Sequence, residues 1–305
     1  MVINDIDSKV QTTTTVQQSF ITGSVISKDG TRIGYRQYGH GPGIVLVQGA
    51  MGFAENFSIL AETLSAAFTV YVPDRRGRGM SPLPYTMDYT IQRDVEDLEA
   101  LLTKTDTHNV YGLSSGAVIS LAAALSISAI LKLAVFEPPL FESQPMPAAE
   151  LARFEKAMAR GNTAAALTAA GKAVALVPTL KYMPNWLLNF LTNRMLASEA
   201  RQPKGAGPTL SEITPTLQFD FQVIKEMHGA MNHLSDIKAS VLLLGGGKSP
   251  VYLKSDLDAL QKLLPHARRV TFPNLGHGGS WNYDKQRNPA SNPQMVAGEL
   301  RQFFG

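Results

Sequence analysis

The chain of 305 residues contains no cysteine. Disulfide bonds, thiolate nucleophiles and cysteine-ligated metal sites are therefore excluded. A chain without thiols tolerates oxidising and reducing surroundings equally, so cysteine usage does not indicate a compartment. Any covalent catalysis must therefore use another nucleophile, such as a serine, lysine or carboxylate.

An excess of charge of one sign is also missing. Lys and Arg number 28 and Asp and Glu number 25, which leaves a formal net charge of +3 at pH 7. So small an excess in a chain of this length favours neither nucleic acid nor an anionic membrane as a partner. A monomer or a homodimer is the default expectation.

No long uninterrupted apolar run is present. The longest, residues 117–133, is broken by Ser120, Ser126, Ser128 and Lys132 and predicts a buried helix followed by a strand. Residues 1–18 are polar and lack the basic and apolar regions of a secretory signal. We therefore expect a soluble, cytoplasmic protein that does not associate with membranes.

Short apolar runs alternate with helical patterns over most of the chain. Asp29-Gly30 predicts a hairpin between the first two strands. The predicted strands cover residues 24–27, 32–38, 44–48, 69–72, 109–113, 131–136, 241–244 and 269–272, and the predicted helices 57–66, 91–102, 115–125, 252–264 and 293–304. This alternation is typical of a parallel sheet with helices on both faces.

The alternation stops in the middle of the chain. Residues 144–235 are rich in alanine, helical in period and interrupted by prolines, with no convincing strand. This pattern predicts a helical cap inserted between two strands of one core. The core would comprise residues 24–143 and 236–305, preceded by a flexible tail at residues 1–23.

A glycine-flanked serine follows one of the predicted strands. Residues 112–116 read G-L-S-S-G, with an apolar run before them and a helical segment after them. This order of strand, tight turn and helix is that of a nucleophile elbow, which presents the serine hydroxyl at the end of a sheet. Ser114 is the predicted nucleophile. The alternative is an ordinary helix start capped by Ser114 or Ser115.

A histidine near the C-terminus lies on a glycine-rich loop. His277 belongs to the run L-G-H-G-G at residues 275–279, just after the last predicted strand. A neutral imidazole at that end of the sheet can accept the serine proton and return it to the leaving group. His277 is therefore the predicted general base, the alternative being a surface histidine without a function.

These motifs together resemble the α/β-hydrolase family. The matching runs are Q-G-A-M-G at residues 48–52, D-R-R-G-R-G-M-S at residues 74–81, the G-L-S-S-G turn and the late Gly-His. The resemblance implies a mostly parallel eight-stranded sheet with an inserted cap. It also implies an oxyanion hole made by the backbone N–H groups of Ala50 and Ser115. Gln48 stands where the family commonly has histidine.

The acid of a catalytic triad is not at the family's usual place. The loop after the seventh predicted strand, residues 245–250, contains no carboxylate, and Asp256 and Asp258 fall inside the next helix. Glu137 directly follows the sixth strand, where some members resembling this arrangement carry their acid. We therefore predict that Glu137 orients His277. The alternative is that Glu137 is a solvated turn residue and the site is a dyad or degenerate.

The resemblance implies a serine hydrolase that cleaves a carboxylic ester or lactone of a fairly apolar small molecule, without metal or cofactor. The predicted substrate-binding residues are large and apolar and lie on the loop after the third strand, on the cap and near the histidine: Met51, Phe53, Met183, Trp186, Phe190 and Trp281. The alternatives are hydrolysis of a C–C bond, thioester cleavage, cofactor-free perhydrolysis, or ligand binding on a degenerate scaffold.

Overall fold

A computed structural model describes residues 20–82, 89–175, 178–201, 207–285 and 288–305. These residues build one sheet of eight strands. The strands are β1 (Ile21–Ile26), β2 (Arg32–Tyr38), β3 (Gly43–Val47), β4 (Thr69–Pro73), β5 (Asn109–Leu113), β6 (Lys132–Phe136), β7 (Ser240–Gly246) and β8 (Arg268–Phe272). Their order across the sheet is β1-β2-β4-β3-β5-β6-β7-β8. The strands from β3 to β8 run parallel, which confirms the predicted mostly parallel sheet.

The antiparallel edge of the sheet is the β1–β2 hairpin. The strand β1 pairs with β2 from Ile21 onward, so the sheet begins before the predicted start at Ser24. The period-2 pattern did not reveal this start, because an edge strand buries little: Ile21 is 65% exposed and Ile26 is 64% exposed. Residues 1–19 of the predicted tail lie outside the described residues.

Helices cover both faces of the sheet. Along β3, Val45 and Val47 belong to one apolar core, whereas Ile44 and Leu46 belong to the other, because successive side chains of a strand point to opposite faces. The helices are α1 (Ser58–Leu64) and α10 (Pro293–Phe304) on the Ile44 face, and α2 (Ile91–Thr105), α3 (Ser115–Ser126) and α9 (Val251–Leu263) on the Val45 face. Burial on both faces explains why the central strands read as continuous apolar runs.

A run of helices separates β6 from β7. It contains α4 (Ala148–Ala159), α5 (Thr163–Val174), α6 (Asn185–Glu199), α7 (Leu210–Ile213) and α8 (Leu217–Met227), and we call residues 148–236 the helical insertion. Its described residues include no strand. Alanines of α4 and α5 let these helices approach closely around Phe154 and Leu217, and Ala50 and Met51 pack against this small core. The insertion therefore lies over the loop that follows β3.

Candidate active site

Ser114 occupies the turn between β5 and α3. Its backbone has φ 56° and ψ −125°, a conformation that costs a non-glycine residue free energy. Its N–H donates to the carbonyl of Phe136 at 2.9 Å, and its carbonyl accepts from the first turn of α3. This strained geometry is that of a nucleophile elbow, in which the hydroxyl is held at the carboxyl end of the sheet.

The two glycines of the turn are required by close backbone approaches. A Cβ on Gly116 would collide with the carbonyl oxygens of Val47 and Gln48, and one on Gly112 would lie 2.6 Å from the carbonyl oxygen of Gly116. Neither obstacle is a flexible side chain that can move aside. The G-x-S-x-G spacing thus follows from packing β5 and α3 tightly against β3.

We expect Gly116→Ala to lower the free energy of unfolding by about 2 kcal/mol or more, because the added methyl group meets fixed carbonyls. Gly298→Ala is the matched control, since nothing lies within 4 Å of a Cβ at that position of α10. Alanine is the better helix former, so the control is expected to be neutral or stabilising by up to about 1 kcal/mol. Equilibrium unfolding in urea measures both changes. Equal stability of the two variants would contradict the packing argument.

Glu137 and His277 are in direct contact at the same carboxyl end of the sheet. The Nδ1 atom of His277 lies 2.8 Å from Oε2 of Glu137, and the carboxylate is fully buried while the imidazole is 14% exposed. The other oxygen, Oε1, accepts the backbone N–H of Gly246 at 2.7 Å. A carboxylate held in this way binds Nδ1–H and leaves the Nε2 atom of the imidazole as the proton acceptor.

The backbone around Glu137 is held on both sides. Glu137 itself has φ 46°, and its N–H donates to the carbonyl of Leu244 at 3.1 Å. Further along the chain, the carboxylate of Asp256 accepts three consecutive backbone N–H groups, those of Leu140, Phe141 and Glu142. Asp256 therefore orders the segment after Glu137 and takes no part in the Glu137–His277 contact.

Ser114, Glu137 and His277 follow β5, β6 and β8 respectively, so all three lie beyond the carboxyl ends of parallel strands. In the described residues no hydrogen bond joins the Ser114 hydroxyl to His277, whereas the Glu137–His277 bond is formed. In enzymes without bound substrate, the hydrogen bond between the serine hydroxyl and the histidine is often long and shortens only when substrate binds. The structure thus brings the imidazole of His277 and the carboxylate of Glu137 together and places Ser114 at the same end of the sheet.

The loop that follows β3, residues 48–53, lies against Ser114. A Cβ on Gly49 would lie 2.9 Å from the Cβ of Ser114 and 3.6 Å from its hydroxyl oxygen. Gln48, where the family commonly has histidine, is fully buried and donates from Nε2 to the carbonyl of Pro73 at 2.7 Å. This amide ties the start of the loop to the end of β4. The 48–53 loop, which carries Ala50, is therefore fixed beside the elbow.

A family model described as "Alpha/beta hydrolase family" matches residues 44–290, which include the strands β3 to β8, the elbow and His277. The chain belongs to the α/β-hydrolase family. The matched range covers all three residues of the edge described above. It also spans the helical insertion, whereas β1 and β2 lie before its first residue.

Similar proteins include hydrolases of several bonds. A solved α/β hydrolase of Sphaerobacter thermophilus has a TM-score of 0.71 and 30% identity, covering 93% of this chain and 100% of that chain. The enol-lactonase of Burkholderia xenovorans has a TM-score of 0.66 at 19% identity, covering 92% and 99% respectively, and shares the fold. N-formylmaleamate deformylase of Pseudomonas putida is 32% identical over 126 residues, 40% of this chain and 47% of that protein. The match thus spans about half of the deformylase.

Three of the predicted substrate-binding residues lie on or against the 48–53 loop of this α/β hydrolase. Met51 packs against the core of the helical insertion, and the ring of Phe53 lies against Gly207, where a side chain would overlap it. Trp281 lies near Gly52, whose Cβ would be 3.0 Å from Cζ2 of the indole. Met51 and Phe53 thus belong to the 48–53 loop, and Trp281 packs against it.

The predicted residues on the helical insertion lie in a different setting. Trp186 is 71% exposed and Phe190 is 54% exposed, on the outer part of α6, and the half-buried Met183 accepts Lys172 Nζ at its carbonyl. The structure does not enclose Trp186 and Phe190 in a pocket. Periodicity predicted an apolar helix here, but it cannot tell which apolar face of such a helix is covered. Their role in substrate binding stays a prediction.

Sequence reasoning missed a buried ionic network next to the elbow. The arginines of residues 75–78 entered the sequence comparison only as part of the run D-R-R-G-R-G-M-S, and Asp220 was assigned no role. In the structure, Arg75 and Arg78 both pair with Asp220, a residue of α8 that lies far away in the chain. A charged residue in a largely apolar helix, as Asp220 is in α8, indicates a buried ion pair. The pattern does not identify the arginines with which that residue pairs.

The described residues contain no group of three or more side chains suited to hold a metal ion. Among the same residues, no helix is long and apolar enough to cross a membrane.

Proposed function

We propose that the chain is a serine hydrolase that cleaves a carboxylic ester or lactone through an acyl-enzyme. The observation that carries this proposal is the 2.8 Å contact between Nδ1 of His277 and the buried carboxylate of Glu137. A buried carboxylate that accepts from a histidine near an elbow serine is the pairing needed to activate that serine. A binding protein on a degenerate scaffold has no need to keep this histidine and carboxylate buried and hydrogen-bonded.

In the proposed mechanism, Ser114 Oγ attacks the substrate carbonyl while Nε2 of His277 takes the hydroxyl proton. The negative charge on the tetrahedral oxygen is bound by the N–H groups of Ala50 and Ser115. The bond to the leaving oxygen then breaks, and His277 passes its proton to that oxygen. A water molecule, deprotonated by His277, attacks the acyl-enzyme, and collapse of the second intermediate returns the proton to Ser114 and releases the acid.

Glu137 supports this cycle electrostatically. While His277 carries the extra proton, the adjacent carboxylate stabilises the imidazolium and keeps Nδ1 as the donor. Its second oxygen remains bound to Gly246 N–H, so the carboxylate cannot rotate away. Met51, Phe53 and Trp281 supply the apolar surface near the reacting carbonyl, which favours a fairly apolar small molecule as substrate.

A second candidate is hydrolysis of an amide, and in particular of an N-formyl group. It is favoured by the similarity to N-formylmaleamate deformylase over 126 residues. The same serine, histidine and oxyanion donors serve this reaction, with the nitrogen as the atom that receives the proton. The similarity to an enol-lactonase favours the ester or lactone reaction in the same indirect way.

We expect a fluorophosphonate to label the wild-type chain at one site per molecule, on Ser114, because the reagent requires an activated serine. Intact-mass and peptide mass spectrometry measure the stoichiometry and the site. Ser126→Ala, at the far end of α3, is the control and should label as the wild type does. A folded wild-type chain that remains unlabelled would favour the binding-protein alternative.

A substrate panel distinguishes the two hydrolytic candidates. It contains p-nitrophenyl esters of increasing chain length, a macrocyclic lactone and an N-formyl amide, with kcat/KM measured for each. We expect esters or the lactone to be preferred over the amide. A preference for the N-formyl amide would replace the first candidate by the second.

A further inference from the structure

Asp220 is a buried carboxylate that accepts hydrogen bonds from side chains at the carboxyl end of the sheet. One oxygen accepts from Nη1 of Arg75 at 2.7 Å and from Oγ of Ser115 at 2.7 Å, and the other accepts from Nη2 of Arg78 at 2.7 Å. The side chains of Asp220 and Arg78 are each 1% exposed. Asp220 belongs to α8 of the helical insertion, whereas its three partners belong to the sheet core.

The second guanidinium nitrogen of Arg78 binds the 48–53 loop. Its Nη1 donates to the carbonyl of Gly49 at 2.9 Å and to that of Gly52 at 3.0 Å. These two carbonyls lie on either side of Ala50. Arg78 thus connects Asp220 to the segment that presents the Ala50 N–H.

The oxygen of Asp220 that does not bind Arg78, Oδ1, connects to the elbow. The hydroxyl of Ser115, which is fully buried, donates to Asp220 and is itself 3.2 Å from Nη1 of Arg75. The backbone N–H of Ser115 is the second proposed oxyanion donor. One carboxylate therefore holds the residues that carry both donors, through side-chain contacts that do not touch the substrate.

The charges in this network are nearly balanced. Arg75 is also paired with Asp94 at 3.0 Å, but in the described part of the chain Asp220 is the sole carboxylate partner of Arg78. Burial by itself raises the pKa of Asp220, yet Arg78 and Arg75 together hold that pKa below its ordinary value. The carboxylate is therefore ionised, and removing its charge leaves the buried Arg78 without the carboxylate with which it forms an ion pair.

We propose that Asp220 is a positioning residue for the oxyanion hole. The helical insertion supplies this residue, whereas the donors of the oxyanion hole belong to the sheet core. The inference rests on the proposed serine-hydrolase function. Two N–H donors lower the barrier only if they are held where the oxyanion forms, so a loosened loop reduces kcat more than it changes KM. The insertion would thus contribute to catalysis at a distance, besides covering the site.

Asp220→Asn tests this proposal with two readouts. We expect kcat for the best substrate of the panel to fall about 10- to 100-fold with KM changed less than about three-fold, below the 10²–10³-fold loss of a donor itself. We also expect hydrogen exchange of the hydrogen-bonded amides of Gly52, Phe53 and Ala54 to accelerate at least about ten-fold. Exchange does not require turnover and so reports on the loop by itself.

Asp97→Asn is the matched control. Asp97 is a buried carboxylate that binds Arg76 through both oxygens, at 2.8 and 2.6 Å. Among the described residues, the other hydrogen-bond partners of Arg76 are Asp29 and Arg93, which belong neither to the 48–53 loop nor to the elbow. This variant should lose stability but keep kcat and loop exchange near wild type. Arg78→Lys is the second variant, for use if Asp220→Asn does not fold. It keeps the buried positive charge but not the forked contacts, so we expect the same fall in kcat and the same faster loop exchange.

The outcomes separate the two proposals. Unchanged loop exchange in both Asp220→Asn and Arg78→Lys overturns the positioning role, and so does faster exchange with unchanged kcat. An equal effect of Asp97→Asn on kcat would reduce the result to general destabilisation and would also overturn it. If wild type shows neither fluorophosphonate labelling nor turnover, the proposed function fails, while faster exchange in the variants would still support Asp220 as the residue that holds the loop.

Discussion

Ser114→Ala is expected to lower kcat for the best substrate about 10⁶-fold, the scale found when a serine nucleophile is removed from a triad enzyme. The serine oxygen forms the covalent bond in the proposed mechanism, and a methyl group cannot replace it. The remaining rate would come from binding and from the oxyanion donors, which act on water as a poor nucleophile. Steady-state kinetics and loss of fluorophosphonate labelling measure the effect on the same preparation.

This prediction has a clear control on the same helix. Ser126→Ala removes a hydroxyl at the last residue of α3, where it bonds to carbonyls of the preceding turn, and should leave kcat within about two-fold. The Ser114→Ala variant should fold normally, since alanine adopts the same backbone conformation at the same cost and only the hydroxyl is removed. A kcat within about ten-fold of wild type would show that another group is the nucleophile.

Glu137→Gln is expected to lower kcat about 10⁴-fold, as the corresponding change does in serine proteases. The amide has almost the shape of the carboxylate but must place an NH₂ group against either His277 Nδ1–H or Gly246 N–H. Each orientation sets two donors face to face, since both groups now donate to Glu137. The imidazole then loses its orientation and the imidazolium loses its counter-charge.

Glu142→Gln is the control for this change, because Glu142 is an exposed carboxylate just beyond the same segment. It should leave kcat near wild type. Circular dichroism and the midpoint of thermal unfolding establish that the Glu137→Gln variant is folded before its kinetics are compared. A change in kcat under about three-fold would remove Glu137 from the mechanism and would favour a serine–histidine dyad.

The helical insertion shows where sequence patterns end. Its helices were predicted from alanine content and period, and in the described residues α4 to α8 lie between β6 and β7. Periodicity could not show that α8 directs Asp220 at Arg75 and Arg78, nor that α6 leaves Trp186 71% exposed. Both facts depend on how helices pack onto the core, and an apolar or charged residue reads the same in sequence whichever neighbour it meets.

The sequence by itself indicated the alternation of strands and helices, the β1–β2 hairpin, the glycine-flanked turn at Ser114 and the late loop of His277, because each is encoded locally. Strand burial appears as apolar runs, and the elbow requires glycines at fixed spacing. The partner of His277 was a hypothesis drawn from the sixth strand, and the tertiary structure places Glu137 2.8 Å from it. Only the fold decided which distant charges meet, because a buried ion pair is selected by three-dimensional proximity and not by separation along the chain.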